Sequence, residues 1–326
     1  GRFARVFRAS WHIENAEHQK LIVDVALKWM RPSMPNALPE GRVARGEGST
    51  SGAPVWLRRE VEANQAVQHP HLVNMLHSVL HQQPYLILLE YCAGGSLDSL
   101  LHGNPANEKP VMLGCPNGRQ QLKIALDISA GMEHLHSLHL IHRDLKPPNV
   151  LLQCPVDTVS VEPHAKVGDF GLARFMEEDM SVGMSVEVGS MAYIAPEMYR
   201  RGSCEFDEDK KRYSEKVDVY SYSMVLYELL ARTIPFAEVL TGLNALVASG
   251  VRPKESILPE DADPVLAAFM RACWAQLPSE RPAFSEIRPA LVHAYSGKRN
   301  GTSDMAVLRH KESVQSLKSI PEGLSV

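Results

Sequence analysis

The sequence predicts an α+β chain in two lobes, strand-rich at first and helical afterwards. Three observations carry that expectation. Residues 21–28 (LIVDVALK) are a β-branched, apolar run without breakers, the pattern of a buried strand. Residues 119–139 set Leu122, Ala125, Ile128, Met132 and Leu135 at three- and four-residue spacing, one apolar face of a long helix. Between these regions, Gly94-Gly95 reads as a hinge. A length of 326 residues accommodates one large domain or two lobes sharing a cleft.

In chain order, residues 31–54 are rich in Pro, Gly and Ser and predict a long solvated loop, a tolerated surface insertion. Residues 55–68 read as helix, and 71–91 carry two apolar runs, HLVNMLHSVL and YLILLEY, suited to strands. Further helices are expected at 215–231 and 264–275, with loop-like insertions at 103–118, 153–164 and 200–213. The polar stretch 296–326 lacks sustained periodicity and predicts a loose, disordered tail. The expected domain is therefore 1–295, with a first lobe over about 1–91 and a second over about 92–295. There are no internal repeats.

The hydrophobic fraction of 44%, charged fraction of 22% and net charge of −4 are those of an ordinary soluble protein. They argue against nucleic acid or a membrane surface as partner. Five scattered cysteines with no CxxC pair speak against a disulfide framework or a cysteine zinc site and fit a reducing compartment. No apolar run reaches the ~18 residues of a membrane span. Gly1 falls inside what reads as a functional loop, which places the expected start of the protein upstream.

Three short segments carry chemistry: His142-Arg143-Asp144-Leu145-Lys146-Pro147-Pro148-Asn149, then Asp169-Phe170-Gly171, then Ala195-Pro196-Glu197. Upstream, Val25-Ala26-Leu27-Lys28 lies on the first strand run. Singly these mean little: a lysine after a strand is ordinarily solvated, and an aspartate in a loop is ordinarily a turn or cap residue. As an ordered set they resemble the signature of the eukaryotic protein kinase catalytic domain, from Gly1 to about Tyr295. The resemblance implies a bilobal fold with an ATP cleft between the lobes, and ATP with Mg2+ (Mn2+ as an alternative) as cofactors.

It also implies roles. Phosphoryl transfer demands charge neutralisation and in-line alignment with little covalent help. By resemblance, Asp169 and Asn149 hold the metal through oxygen atoms, Asp144 orients the incoming hydroxyl and accepts its proton, and Lys146 stabilises the transferring phosphoryl group. Lys28 grips the α- and β-phosphates with Glu60 as its counter-ion, Glu62 being the competing choice. The fragment from Gly1 to Val6 resembles the end of a glycine-rich loop, with Ala4 where a third glycine is usual, so nucleotide affinity is expected to be lowered. Val6 and Ala26 would roof the adenine and Leu151 lie beneath it. Leu89 aligns with the gatekeeper, the Glu90 carbonyl and the Cys92 N–H with the adenine partners, and Ser96 with the ribose.

Lys146-Pro147 and Ser190 resemble the serine/threonine type. Gly131-Met132-Glu133-His134-Leu135-His136 and Cys273-Trp274 resemble the tyrosine-kinase-like group, as in Raf-like and mixed-lineage kinases. Scaffold roles follow for Asp218 (anchoring the catalytic loop), Glu197 with Arg281 (an ion pair), and Met75, His142 and Phe170 (a hydrophobic spine). Asn64 stands where that spine expects an apolar residue. Ser181 and Ser185 are candidate activation-segment phosphosites that an upstream kinase would modify, with Arg143 pairing the phosphate. The implied partner is a protein substrate bearing Ser or Thr, and the implied location is the cytoplasm, or the cytoplasmic portion of a larger protein. The alternatives are a pseudokinase or nucleotide-binding scaffold, an interaction module, and a tyrosine or dual-specificity kinase.

Overall fold

The computed structural model describes residues 4–14, 20–30, 53–103, 116–156, 158, 160–169, 174–175, 188–199 and 214–299. The first lobe is a four-stranded antiparallel sheet built from β1 (Ala4–Glu14), β2 (Lys20–Met30), β3 (Met75–Val79) and β4 (Leu86–Glu90), in the order β1-β2-β4-β3. β1 and β2 pair along their full lengths, from Ala4 opposite Met30 to Glu14 opposite Lys20.

One helix, α1 (Val55–Ala66), covers this sheet. Leu57 and Val61, one turn apart, bury against Ala4, Met30, Ala53 and Ile87, with Met75, Leu80, Tyr85 and Leu89 at the margin. Each such side chain contributes about 1.5–3 kcal/mol of burial. Asn64, three residues beyond Val61 on the same face, is buried at 7% exposure, so the apolar stripe of α1 ends in an amide.

The second lobe is larger and helical. It comprises α2 (Leu97–His102), α3 (Gly118–Ser137), α4 (Pro196–Tyr199), α5 (Lys216–Ala231), α6 (Leu243–Ala248), α7 (Pro264–Cys273) and α8 (Phe284–Arg299). Among the described residues between α3 and α4 run four short strands, β5 (Leu140–Ile141), β6 (Val150–Leu152), β7 (Ala165–Val167) and β8 (Arg174–Phe175), paired β5 with β8 and β6 with β7.

α3 begins where Asn117 accepts from the backbone N–H of Arg119 (3.0 Å) and Gln120 (2.9 Å), while the Gln120 side chain accepts from Asn117 N–H (3.1 Å), a reciprocal cap. α5 is buried on every side from Val217 to Leu230, as a helix apolar all round must be, and forms the axis of the lobe. α7 lies against α5, and α8 against α3.

The helices expected at 55–68, 119–139, 215–231 and 264–275 are present, and so is the strand expected at 21–28, but it is not a buried one: Leu21, Ile22 and Val23 are exposed, because among the described residues the cluster under α1 reaches only the Met30 end of β2. β1 is an added strand. α8 runs on to Arg299, four residues into the expected tail, because the helical hydrogen bonding continues past Tyr295. The insertion at 31–54 lies outside the described residues except for Ala53 and Pro54. Gly1, Phe170, Ser181, Ser185, 200–213 and 300–326 lie outside them entirely, as do parts of 103–118 and 153–164. No helix among the described residues is long and apolar enough to cross a membrane.

Candidate active site

The loop that follows β5 carries Asp144, and its position is dictated from beneath. Asp218, in the first turn of α5 and fully buried, accepts the backbone N–H of His142 (2.8 Å) and of Arg143 (2.8 Å) and a third hydrogen bond from His136 Nε2 (2.9 Å). Burial pushes the Asp218 carboxyl up, but the His136 hydrogen bond and the surrounding donors outweigh it and hold the group below the usual carboxylate range. Arg143 takes a left-handed φ of 69°, an unfavourable conformation for a side-chain-bearing residue that the two Asp218 bonds hold in place.

His142 joins the loop to the strand that delivers Asp169. Its Nε2–H donates to the carbonyl of Gly168 (3.0 Å), and its Nδ1 accepts the N–H of Asp144 (3.2 Å), which fixes the neutral tautomer. Gly168 N–H in turn donates to the carbonyl of Asn149 (2.8 Å). A Cβ at Gly168 would lie 2.8 Å from Val73 Cγ2, so only glycine permits this approach.

Five of the expected groups converge. Asn149 Nδ2 donates to the Asp144 carbonyl (2.7 Å) and to its carboxylate (2.9 Å), and Lys146 Nζ lies 2.8 Å from the same carboxylate. Asp169, at a left-handed φ of 61° with its side chain 54% exposed, stands beyond Gly168. Its Oδ1 meets Lys28 Nζ at 3.1 Å, across 141 positions of sequence and from the other lobe. With Nδ2 engaged on Asp144, the amide oxygen of Asn149 and the Asp169 carboxylate are hard oxygen donors of the kind that Mg2+ takes. The residues present fit that ion.

Strand register puts the expected nucleotide roof on one face. Val6 stands opposite Lys28, Ala26 opposite both Arg8 and Leu89, and directly paired residues project to the same side. Leu151 lies in β6 opposite Lys166 and bridges to Ser96. Cys92 is buried, and burial first, with Glu90 second, pushes its thiol up to about 11, so it behaves as an inert apolar residue. Ser96 has a further duty: its hydroxyl accepts Ser99 N–H (3.1 Å) and caps α2. Glu60 lies in α1 and Ser190 in a short 3-10 turn (Val188–Tyr193), but their side chains are outside the described residues.

Two groupings escaped the sequence reading. The Glu90 carboxylate accepts Asn74 N–H (2.7 Å) and the buried Lys166 ammonium (2.9 Å), tying the hinge to β7. Glu228, fully buried in α5, accepts hydrogen bonds from Tyr193 and from His102 Nε2 (2.6 Å); burial raises its carboxyl above the usual range. No spacing signal links residues so far apart in the chain. The expected Glu197–Arg281 pair is present and bidentate (2.7 and 2.8 Å) around a fully buried guanidinium.

The sequence profile of the family described as protein tyrosine and serine/threonine kinase matches residues 1–291. The chain belongs to that family. It is 35% identical to a probable serine/threonine-protein kinase of Dictyostelium discoideum over 73% of this chain and 16% of that protein. To the serine/threonine/tyrosine-protein kinase HT1 of Arabidopsis thaliana it is 34% identical, over 71% of this chain and 52% of the relative. To the serine/threonine-protein kinase CTR1 of the same plant it is 31% identical over 89% of this chain and 30% of the relative. The chain thus spans about half or less of these curated relatives. Its Raf-like, tyrosine-kinase-like character agrees with the motifs read from sequence, and a kinase domain works with ATP, a divalent metal and a protein substrate.

Proposed function

We propose that the protein is a serine/threonine kinase that moves the γ-phosphoryl group of Mg·ATP onto a Ser or Thr hydroxyl of a protein substrate, in the cytoplasm or on the cytoplasmic part of a longer chain. The observation that carries the proposal is the Lys28–Asp169 contact at 3.1 Å, which joins the two lobes at the point where the triphosphate would lie. A bound divalent cation supplies charge neutralisation at the phosphates. Asp169 and the amide oxygen of Asn149 would hold it. Lys28, with Glu60 as counter-ion, would orient the α- and β-phosphates. Asp144, whose carboxylate is already fixed by Asn149 and Lys146, would align the acceptor hydroxyl and take its proton. Lys146 would steady the moving phosphoryl oxygens.

Adenine would lie between Val6 and Ala26 above and Leu151 below, bonded to the Glu90 carbonyl and the Cys92 N–H, with Leu89 behind it and Ser96 at the ribose. Gly1 would contribute the glycine-rich loop. Phosphorylation of Ser181 or Ser185 by an upstream kinase would regulate the enzyme, and Ser190 would contact the catalytic pair. Preference for Ser/Thr rests on Lys146-Pro147 and on the names of most relatives quoted.

The test is transfer of radiolabelled phosphate from ATP to a generic protein substrate, for wild type and Asp144→Asn. The expected result is a loss of about 10²–10⁴-fold in the variant, with phosphoserine or phosphothreonine in the wild-type product. Equal incorporation in both proteins would overturn the assignment of Asp144, and phosphotyrosine alone would overturn the specificity. The second reading, a pseudokinase scaffold, draws on the amide of Asn64 buried in the face of α1; nucleotide binding without any transfer would favour it.

A further inference from the structure

Away from the cleft, where residues 69–74 dock on α3 and β7, a row of imidazoles stands in contact. His134 stacks on His69 at 4.9 Å between ring centres, His69 lies 5.6 Å from His71, and His71 stacks on His164 at 4.7 Å. The last two rings are locked by a reciprocal pair of hydrogen bonds. His71 Nδ1 lies 3.0 Å from the carbonyl of Ala165, the residue after His164. His164 Nε2 lies 3.0 Å from the carbonyl of Pro70, the residue before His71.

A carbonyl only accepts, so each ring commits its N–H to the backbone, and a neutral imidazole has only one. Nε2 of His71 and Nδ1 of His164 are therefore lone-pair nitrogens. Histidines that ligate metals are prepared in this way, the second nitrogen donating to a backbone carbonyl and orienting the ring. Beside them is Asp127 of α3, with its side chain 2% exposed and Oδ1 3.5 Å from His71 Nε2. Ligand atoms of all three residues lie within 4.8 Å of one another. A lone pair facing a carboxylate oxygen is repulsive unless positive charge stands between them. At present Lys123 supplies that charge from one side only, 2.6 and 2.8 Å from the two Asp127 oxygens.

We propose that His71, Asp127 and His164 bind one divalent transition-metal ion of the zinc kind, in competition with the Lys123 ammonium. Two imidazoles and a carboxylate are a usual three-residue set for this ion, with water in the fourth place. Tetrahedral donors stand about 3.3–3.5 Å apart, so the three groups close by about 1 Å on binding. His164 lies outside any helix or strand, on the segment leading into β7, and a shift of that segment that keeps the Pro70 hydrogen bond supplies the movement. Lys123 lines an open cavity of about 190 Å3 with Arg119, Gln120, Glu162 and Tyr295, which gives the displaced ammonium a place to go. The site is separate from the cleft, and the proposal does not rest on the kinase reading.

The experiment is calorimetric titration of the full chain with ZnCl2, repeated with CoCl2 while recording the visible absorption of tetrahedral Co2+. The expected result is one equivalent bound at micromolar affinity, unchanged in the exposed control His81→Ala. His164→Ala should weaken binding at least tenfold and abolish the Co2+ band, and His71→Gln should do the same. Should the more buried His71 variant fail to fold, His164→Ala decides alone. Lys123→Ala should tighten binding severalfold by freeing the carboxylate. Wild-type affinity in His164→Ala, no saturable binding in the wild type, or indifference to Lys123→Ala would each overturn the proposal.

Discussion

Asp144 and Lys28 face the same cleft from opposite lobes, and they are held there by different means. Asp144 belongs to a loop whose two preceding amides are bonded to the buried Asp218, whose histidine is bonded to Gly168, and whose carboxylate is already touched by Asn149 and Lys146. Beneath it lies a core that runs from α3 through α5 to α8. Lys28 lies on a strand backed by a small cluster under one helix, and the Asp169 ion pair ties it to the helical lobe. The helical lobe is a pre-organised platform for the chemistry. Among the described residues the strand lobe has the smaller core, which makes it the natural place for regulation to act.

The largest expected effect breaks the platform. Asp218→Ala leaves two loop amides and His136 without their buried acceptor, and should lower stability by about 3–5 kcal/mol in urea unfolding while abolishing phosphate transfer. A loss below about 1 kcal/mol would mean that the loop holds its shape without this anchor.

A smaller effect concerns the junction of the lobes. Burial first, and then His134, His71 and Arg288, push His69 down to about 4 from its ordinary value of 6.5. The unfolded chain therefore takes up this proton before the folded one does. Stability from this group is present above pH 6.5 and is lost as pH falls towards 4. Allowing for solvent screening at a half-exposed ring, the loss is about 1–2 kcal/mol. Urea unfolding at pH 7.5 and 5.0 measures it, and His69→Asn should reduce the difference, leaving the part due to His71, which burial likewise pushes down to about 4; an unchanged slope in that variant would assign the whole effect to other groups.

The smallest effect sharpens the contrast from the strand side. Asn64→Leu completes the apolar face begun by Leu57 and Val61, and should raise stability by up to about 1 kcal/mol and basal activity a few-fold. An unchanged rate would show that the seating of α1 does not limit turnover.

Much of this comparison was legible in the residues themselves. α3 could be read because its apolar spacing is long and regular, and α5 because the run is strongly apolar. The cleft residues could be read as a set because they stand in the order of the kinase signature, whose chemistry restricts residue type. β1 was missed because ARVFRASWHIE alternates charge with apolar residues on a strand that is largely exposed. α8 was missed in a polar stretch that holds Pro289 within the helix. The Glu90–Lys166 and Glu228–His102 contacts join residues 76 and 126 positions apart, where only the folded chain brings them together.

The central claim is that Lys28 and Asp169 close on one metal-bound triphosphate. Calorimetric titration of ATP, with and without Mg2+, into wild type, Lys28→Met and Asp169→Asn tests it most directly. The account predicts Mg2+-dependent binding in the wild type, at least tenfold weaker binding in Lys28→Met, and loss of the Mg2+ dependence in Asp169→Asn. Three proteins with the same affinity and the same response to Mg2+ would contradict it.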